Sequence, residues 1–202
     1  MRDFSIVMSV FEPWNVAEYA LACVNLQKHQ NWELIVCYDG EPHDSVALQV
    51  KKISRMCLGR VREIRCSRRP GCWGNPARNE GTHAARGKWI VYVNHDNVIF
   101  PDYLSRHFGI LNTFHNGNGI SIVPIELKAK GRYLGKYPKD PIRVSHIDLM
   151  NFAMPTKIAQ QVDAFGEKWA TTYEADWRLF ESASQLLPYK VDQCQTPAGI
   201  HF

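Results

Sequence analysis

No stretch of this sequence stays apolar for the roughly 20 residues that a helix needs to cross a bilayer, so no membrane span is expected. The opening residues, MRDFSIVMSV, run straight into a strand-like segment without a basic-then-apolar leader or a small-residue cleavage site. A cytoplasmic location is therefore expected. Cysteine is scarce and scattered: Cys23, Cys37, Cys57, Cys66, Cys72 and Cys194 show no paired metal-ligand spacing, and most lie in apolar runs where cysteine packs as a small hydrophobe. Disulfides and a structural zinc are not expected. The excess of charge is small, +4 at neutral pH, although Arg60, Arg62, Arg65, Arg68 and Arg69 stand close together against Glu63 alone. Aromatic residues do not interleave with that cluster, which argues for a solvated rim beside an anionic ligand site and against a nucleic-acid surface. There is also no internal repeat and no linker-like segment. With 202 residues, 45% hydrophobic and 22% charged, the chain has the length and composition of one well-buried domain over 1–202.

The first half alternates regularly. Phe4 to Val10 is apolar apart from two serines, as a central parallel strand covered on both faces would be, and Glu12-Pro13-Trp14-Asn15 ends it. Val16, Ala20 and Cys23 fall at helical spacing; Trp32 to Tyr38 is a second buried strand ending in the turn pair Asp39-Gly40. Val46, Val50, Ile53 and Cys57 mark a second helix closed by Gly59, and Val61 to Cys66 a third, more exposed strand. Alternation of this kind predicts a mostly parallel sheet with right-handed crossovers, flanked by helices: a Rossmann-like α/β fold. The second half is less regular. Asp102 to Phe114 is expected as a helix and Ile120 to Ile125 as a strand. Lys128 to Ser145, rich in Gly, Pro and Lys, reads as a long functional loop, which could fold over a ligand as a lid. Ile147 to Met154 follows as a strand, then a short helix opened by Pro155, a helix over Tyr173 to Ser184 and a last strand over Leu187 to Val191.

The most informative stretch runs from Gly74 to Pro101. Asn75 suits a helix N-cap, Pro76 the first helical position, and Gly87 a left-handed exit. Ala77, Gly81, Ala84 and Ala85 are all small and share a helical face, so the helix can lie unusually close to a sheet. Lys88 to Val93 is a short buried strand, and Asn94-His95-Asp96-Asn97 follows without a break. Ligands of open α/β sheets bind beyond the carboxyl ends of the strands, so this polar cluster is the first candidate for a site.

Several segments carry a resemblance to the family 2 glycosyltransferases of the GT-A fold, over nearly the whole chain. SIVMSVFEPWNVAEYALACV resembles the family's opening strand and helix, with Asn15 after a Pro-containing turn, and ELIVCYDG its second strand with a terminal aspartate. GNPARNEGTHAARGKWIVYVNHDN resembles the ARN-x-G helix and the strand ending in the DxD motif, and YEADWRL the ED-containing helix start, with Ala175 in the first acidic position and Asp176 in the second. The resemblance implies transfer of a sugar from a UDP-sugar to a hydroxyl acceptor in glycan assembly, with inversion. It implies donor contacts at Val10, Glu12, Asp39 (toward uracil), Arg78, Asn79, Asn94, His95 and Asp96. It also implies Mn²⁺ or Mg²⁺ held by Asp96 and a C-terminal His201, and a general base at Asp176 with Glu174 and Asp148 in reserve. The chain is expected to divide into a nucleotide-sugar half over 1–101 and an acceptor half over 102–202.

Plainer roles stand beside each of these. Asp39 is also a good Asp-Gly turn residue, Arg78 and Asn79 are ordinary helix-start residues, Asp96 could cap a loop and Asp176 a helix, and a terminal histidine is usually just exposed. Trp14, Trp73, Trp169 and Trp177 could stack on a sugar or fill the core; Trp73 is the one assigned to the site. Two departures from the family pattern stand out. Asn94 replaces the first carboxylate of the DxD motif, and only Phe202 follows His201 where many relatives add further domains, so the chain is expected to be a module of a longer polypeptide. An amide can still bond a ribose hydroxyl, though it makes a poorer metal ligand than a carboxylate. The altered motif keeps open a nucleotide-sugar-binding module without catalysis. A sugar nucleotidyltransferase is a further alternative, disfavoured because no Gly-rich phosphate loop follows the first strand.

Overall fold

A computed structural model describes residues 1–10, 17–42, 44–57, 59–66, 72–129, 132–163, 165–166 and 174–202. In chain order the first half comprises β1 (Phe4–Val10), α1 (Ala17–Asn25), β2 (Trp32–Tyr38), α2 (Asp44–Met56), β3 (Val61–Arg65), α3 (Asn75–Ala84), β4 (Trp89–Tyr92) and β5 (Asn97–Ile99). The second comprises α4 (Tyr103–Thr113), β6 (Ile120–Ile122), β7 (Ile125–Ala129), β8 (Arg132–Tyr137), β9 (Phe152–Pro155), α5 (Thr156–Val162), α6 (Ala175–Leu186), β10 (Tyr189–Val191) and β11 (Gly199–His201).

The main sheet has the order β10-β6-β9-β4-β1-β2-β3, with β9 antiparallel to both its neighbours and the other pairs parallel. β1 lies at its centre, buried along its whole length, and the period of two divides its side chains between two layers. Phe4, Ile6, Met8 and Val10 join a core with Leu21 and Val24 of α1, Val50 and Ile53 of α2, and Leu104 and Leu111 of α4. Val7 faces the other way, into a core with Ala77 of α3, Ala159 of α5 and Leu179 and Ala183 of α6. The largely apolar runs of β1 and β2, broken only by Ser5, Ser9 and Glu33, are what a strand covered on both faces requires.

The small face of α3 does bring that helix hard against the sheet. A side chain at Gly81 would place its Cβ 2.5 Å from Cys37 Sγ and 2.6 Å from a Val7 methyl. Two details of the expected helix differ. The N-cap is Gly74, in left-handed conformation, because the Asn75 side chain is occupied as an acceptor for Arg78. The helix ends at Ala84 with an extended Ala85, so Gly87 does not provide a left-handed exit. Gly87 is needed for space instead: a Cβ there would lie 2.5 Å from the Ser5 backbone nitrogen. Its N–H and that of Arg86 donate to Ser5 Oγ (2.8 and 3.2 Å), and Ser5 in turn donates to the buried Glu33 carboxylate at 2.6 Å. Burial alone would raise the Glu33 pKa, but Ser5, the Arg86 N–H and Arg62 together hold it below the usual value. The turn from α3 into β4 is thus bolted to the foot of β1.

Most corrections fall in the second half. Lys128 to Ser145 is not a loop throughout: β8 and the end of β7 pair antiparallel in its first part, and among the described residues the irregular backbone is confined to 138–145. The expected strand Ile120–Ile125 is two strands in different sheets, parted at Pro124, and Ile147–Met154 begins with a single 3-10 turn, Leu149–Asn151, before β9. The last residues, which carried no strand signal, form β11 between β5 and β7 in a second sheet of order β5-β11-β7-β8. No helix among the described residues is long and apolar enough to cross a membrane. Gly87→Ala forces backbone apart where Ser5 stands, so it should lower unfolding free energy by about 1–3 kcal/mol, read from chemical denaturation of the variant beside the parent chain.

Candidate functional site

The carboxyl ends of β1, β2 and β4 open into a cavity of about 520 Å³, walled on the far side by β7, β8 and the start of α6. Ser9, Asp39, Arg78, Asn94, His95 and Asp96 line the first side; Tyr137, Ile147, Asp148, Asp176, Trp177 and His201 line the second.

β2 delivers Asp39, whose N–H donates to the Val10 carbonyl at 2.9 Å, so the aspartate is held level with the end of β1. α3 delivers Arg78 from its second turn. The guanidinium gives Nη1 to the Trp73 carbonyl (2.6 Å) and Asn75 Oδ1 (2.8 Å), and Nε and Nη2 to Asn94 Oδ1 (3.2 and 2.9 Å). Cys72, Trp73 and Gly74 are all left-handed, with φ of 56°, 55° and 74°, and this unusual turn is what carries the Trp73 carbonyl back onto Arg78. Trp73 itself projects at the rim, 58% exposed.

Beyond β4, Asn97 Oδ1 accepts from the Asn94 N–H at 2.7 Å, closing the polar cluster into a tight turn that presents Asp96. The His95 N–H donates to the Ser9 carbonyl at 3.3 Å. β11 brings in His201 from the other end of the chain. Its Nδ1 donates to Asp148 Oδ2 at 2.7 Å, which leaves Nε2 facing Asp96 Oδ2 at 3.7 Å. Asp148 is fixed in turn: its other oxygen accepts from the Met150 N–H at 2.9 Å, and Asn151 Oδ1 accepts the Asp148 N–H at 2.9 Å, a capping box on the turn before β9. Burial opposes charge on His201, but the bond to Asp148 and the charges of Asp148 and Asp96 outweigh it and push the pKa up to about 11. Asp96 is lowered: burial pulls it upward, and His201 and His95 more than offset that.

Asp176 sits in the first turn of α6. Burial first, and the negative charge of Asp148 second, push its pKa up to about 6, against the opposing effects of Arg78, the Leu149 backbone and His201. A carboxylate poised there can accept a proton near neutral pH. Glu174, the reserve candidate, lies at the cavity rim with its carboxylate 3.7 Å from Arg178.

Among the residues expected in the site, Asp39, Trp73, Arg78, Asn94, His95, Asp96, Asp176 and His201 line one cavity. Val10 and Asn79 do not: Val10 faces the core behind β1 and contributes its carbonyl to Asp39, and Asn79 is buried in α3 away from the cavity lining. Glu12 lies outside the described residues, as do Trp14, Asn15 and Trp169. Ser9 and Asn75 also line the cavity; the signal for Ser9 is a polar break in an apolar strand, and Asn75 carries the local signature of a helix cap. Nothing local marks Tyr137 or Ile147, which reach the site only through the second sheet and the turn before β9. Asp148 is the histidine's partner rather than a free carboxylate.

Among the described residues no group of three or more His, Cys, Asp or Glu side chains is arranged to hold a metal ion by itself. Asp96 and His201 nevertheless make a suitable pair of donors. An imidazole fixed through Nδ1 by a carboxylate, with Nε2 directed at a second carboxylate, is the arrangement in which a histidine commonly ligates an ion. The pair fits an ion whose remaining positions a ligand's oxygens fill.

A family model described as glycosyl transferase family 2 matches residues 5–169. The chain belongs to that family. This family 2 chain is 24% identical over 197 residues to an uncharacterized glycosyltransferase of Rickettsia prowazekii (strain Madrid E), covering 90% of the chain and 59% of that protein. It is 25% identical over 195 residues to an uncharacterized glycosyltransferase of Rickettsia conorii, covering 89% of the chain and 31% of that protein. The chain thus spans between about a third and three-fifths of these two curated relatives. Among solved structures, S. aureus TarS 1-349 in complex with UDP-GlcNAc superposes with a TM-score of 0.79 at 15% identity, over 99% of this chain and 58% of that one. The same fragment in complex with UDP gives 0.80 at 13% identity, over 99% of this chain and 60% of that one. These matches show the GT-A fold expected from the sequence.

The raised pKa of Asp176 has a consequence for stability. A carboxyl whose folded pKa exceeds its unfolded value costs stability once it ionises, so this cost grows as pH rises from about 4 to 6 and is complete above that. Asp176→Asn should therefore stabilise the folded chain at pH 7, by on the order of 2 kcal/mol, and should have little effect near pH 3.5. Thermal melts at the two pH values check this.

Proposed function

We propose that this family 2 chain transfers a sugar from a UDP-sugar to an acceptor hydroxyl in glycan assembly, with inversion. The observation that carries the proposal is the meeting, in one cavity, of a donor side (Asp39, Arg78, Asn94, Asp96) and a carboxylate, Asp176, with a pKa pushed up to about 6. Further support comes from the fold shared with TarS, which has been solved in complex with UDP-GlcNAc.

The chemistry follows from the geometry. Asp39 at the end of β2 suits the uracil, and the Asn94 amide a ribose hydroxyl or phosphate oxygen. The leaving diphosphate gains negative charge as the sugar departs, and Arg78 lies within the same cavity. Asp96 and His201 would hold Mn²⁺ or Mg²⁺ here; such an ion supplies Lewis-acid neutralisation of the leaving group. Across the cavity, Trp177, Tyr137 and Ile147 offer an aromatic and apolar wall on which an acceptor sugar can pack. Asp176 takes the proton of the acceptor hydroxyl as its oxygen bonds to the anomeric carbon, and the bond from that carbon to the diphosphate oxygen breaks with both electrons leaving on UDP. One base on the face opposite the leaving group is enough for inversion. On this reading the described chain is one catalytic domain of the cytoplasm, within a longer polypeptide.

Asn94 favours a second reading, a nucleotide-sugar-binding module without turnover, because the family's carboxylate is absent there. Release of UDP from a panel of UDP-sugars with glycan acceptors separates the two, since a binding module releases none. For the transferase, Asp176→Asn should keep UDP affinity and lose about 10²–10⁴-fold in turnover, and parent kcat/KM should rise with pH through an apparent pKa near 6. Near-normal turnover in that variant would refute the base. Asp96→Ala should weaken UDP binding measured by calorimetry with Mn²⁺ present; unchanged affinity would remove the ion from this position.

A further inference from the structure

We infer that Arg78 and Asn94 form a phosphate-directed donor site that binds the nucleotide's diphosphate without the help of a metal ion, an inference that rests on the nucleotide-sugar reading of the cavity. Arg78 is only 8% exposed, yet all four of its hydrogen bonds go to neutral oxygens: Trp73 O, Asn75 Oδ1 and, twice, Asn94 Oδ1. Among the described residues no carboxylate lies within ion-pair distance of it, whereas Arg62 meets Glu33 at 2.9 Å and Arg106 meets Asp192 at 2.6 Å. A guanidinium withdrawn from water without a counter-ion is costly, and charges of this kind persist where a partner completes them. Arg78 opens onto the cavity, so the partner that fits is an anion bound there.

Asn94 points the same way. Its Oδ1 accepts from Arg78 Nε and Nη2 and also from Ser9 Oγ at 3.1 Å, so three donors fix which end of the amide faces the protein. The amide nitrogen is left with two hydrogens that no described protein group accepts, on a residue that lines the cavity. A carboxylate at this position would accept the same three bonds, but it would cancel the charge of Arg78 and offer the cavity only an acceptor. The amide reverses both properties: the guanidinium keeps its charge, and the adjoining group donates. Asp39, Asp96, Asp148 and Asp176 line much of the rest of the cavity, and the charge of His201 is already engaged between Asp148 and Asp96, which leaves the Arg78–Asn94 corner as the place for phosphate oxygens. Asp96 stands two residues along, so the same diphosphate could lie between this corner and an ion.

The test is calorimetry with UDP and with uridine, each in EDTA and in Mn²⁺, on the parent chain, Asn94→Asp and Arg78→Gln. In EDTA the parent should bind UDP at least about ten-fold more tightly than uridine. Both variants should lose that preference, with uridine affinity changed by less than about two-fold, and Mn²⁺ should restore UDP binding to Asn94→Asp. Melting curves keep the result interpretable: Asn94→Asp creates an ion pair with Arg78, so its ligand-free melting temperature should equal or exceed the parent's. UDP binding by the parent only with Mn²⁺, or equal UDP affinity of parent and Asn94→Asp in EDTA, overturns the inference while leaving the nucleotide-sugar reading intact. Failure of UDP and uridine to bind under either condition overturns both.

Discussion

The close approach of α3 to the main sheet is the constraint on which the site depends. Gly81 lets the helix settle onto Cys37 and Val7, and Gly87 lets the chain turn back under Ser5 into β4. A helix held at ordinary distance would carry Arg78 outward, away from Asn94, and the bonds that link the start of α3 to the end of β4 would lengthen beyond use. The left-handed turn over Cys72 to Gly74 serves the same placement from the other side, since it returns the Trp73 carbonyl to the guanidinium. The packing of small residues and the electrostatics of the cavity are therefore one problem. Close contact is what withdraws Arg78 from water, and its withdrawal is what makes its charge count.

The second sheet solves a different problem, that of joining distant parts of the chain at one point. β11 pairs with β5 immediately after the polar cluster and with β7 on its other side, and so sets His201 opposite Asp96. Asp148 completes the arrangement from the turn before β9. Three segments far apart in sequence thus converge in a chain of carboxylate, imidazole and carboxylate. The histidine's charge is held by two acids that would otherwise repel one another, while Asp148 adds to the field that raises Asp176. The same residue therefore orients one group and shifts another, at a cost in stability.

The regular half of the fold could be read from pattern alone. Largely apolar seven-residue strands in β1 and β2, small residues at helical spacing in α3 and turn pairs at strand ends are local signals, and each element forms for the local reason its residues suggest. The cavity-lining residues Asp39, Arg78, Asn94 and Asp96 are legible for the same reason: each stands near the end of an element whose bounds are marked nearby. Val10 and Asn79 lie outside the cavity lining because a strand end and a helix start have faces, and spacing along the chain does not say which face meets the cavity. The hairpin of β7 and β8 is hard to read because alternation lasts only over Ile125 to Lys128 in β7 and is broken by the adjacent Tyr133-Leu134 and by Gly135 in β8, although the backbone can still pair.

By itself, then, the sequence determined the alternating α/β order, the close helix contact and the identity of the polar residues that end β2 and β4. Those properties depend on side-chain size and on periods of two or 3.6, which neighbours in the chain carry. Only the tertiary structure decided that His201 is a half-buried partner of two acids rather than a terminal residue in water, that Asp148 serves the histidine, and that Asn75 and Asn94 both turn their oxygens to Arg78. Each of these is a contact between elements whose separation is fixed by sheet order and packing, and hydrogen bonds with their strict distances form only after that packing has brought the groups together.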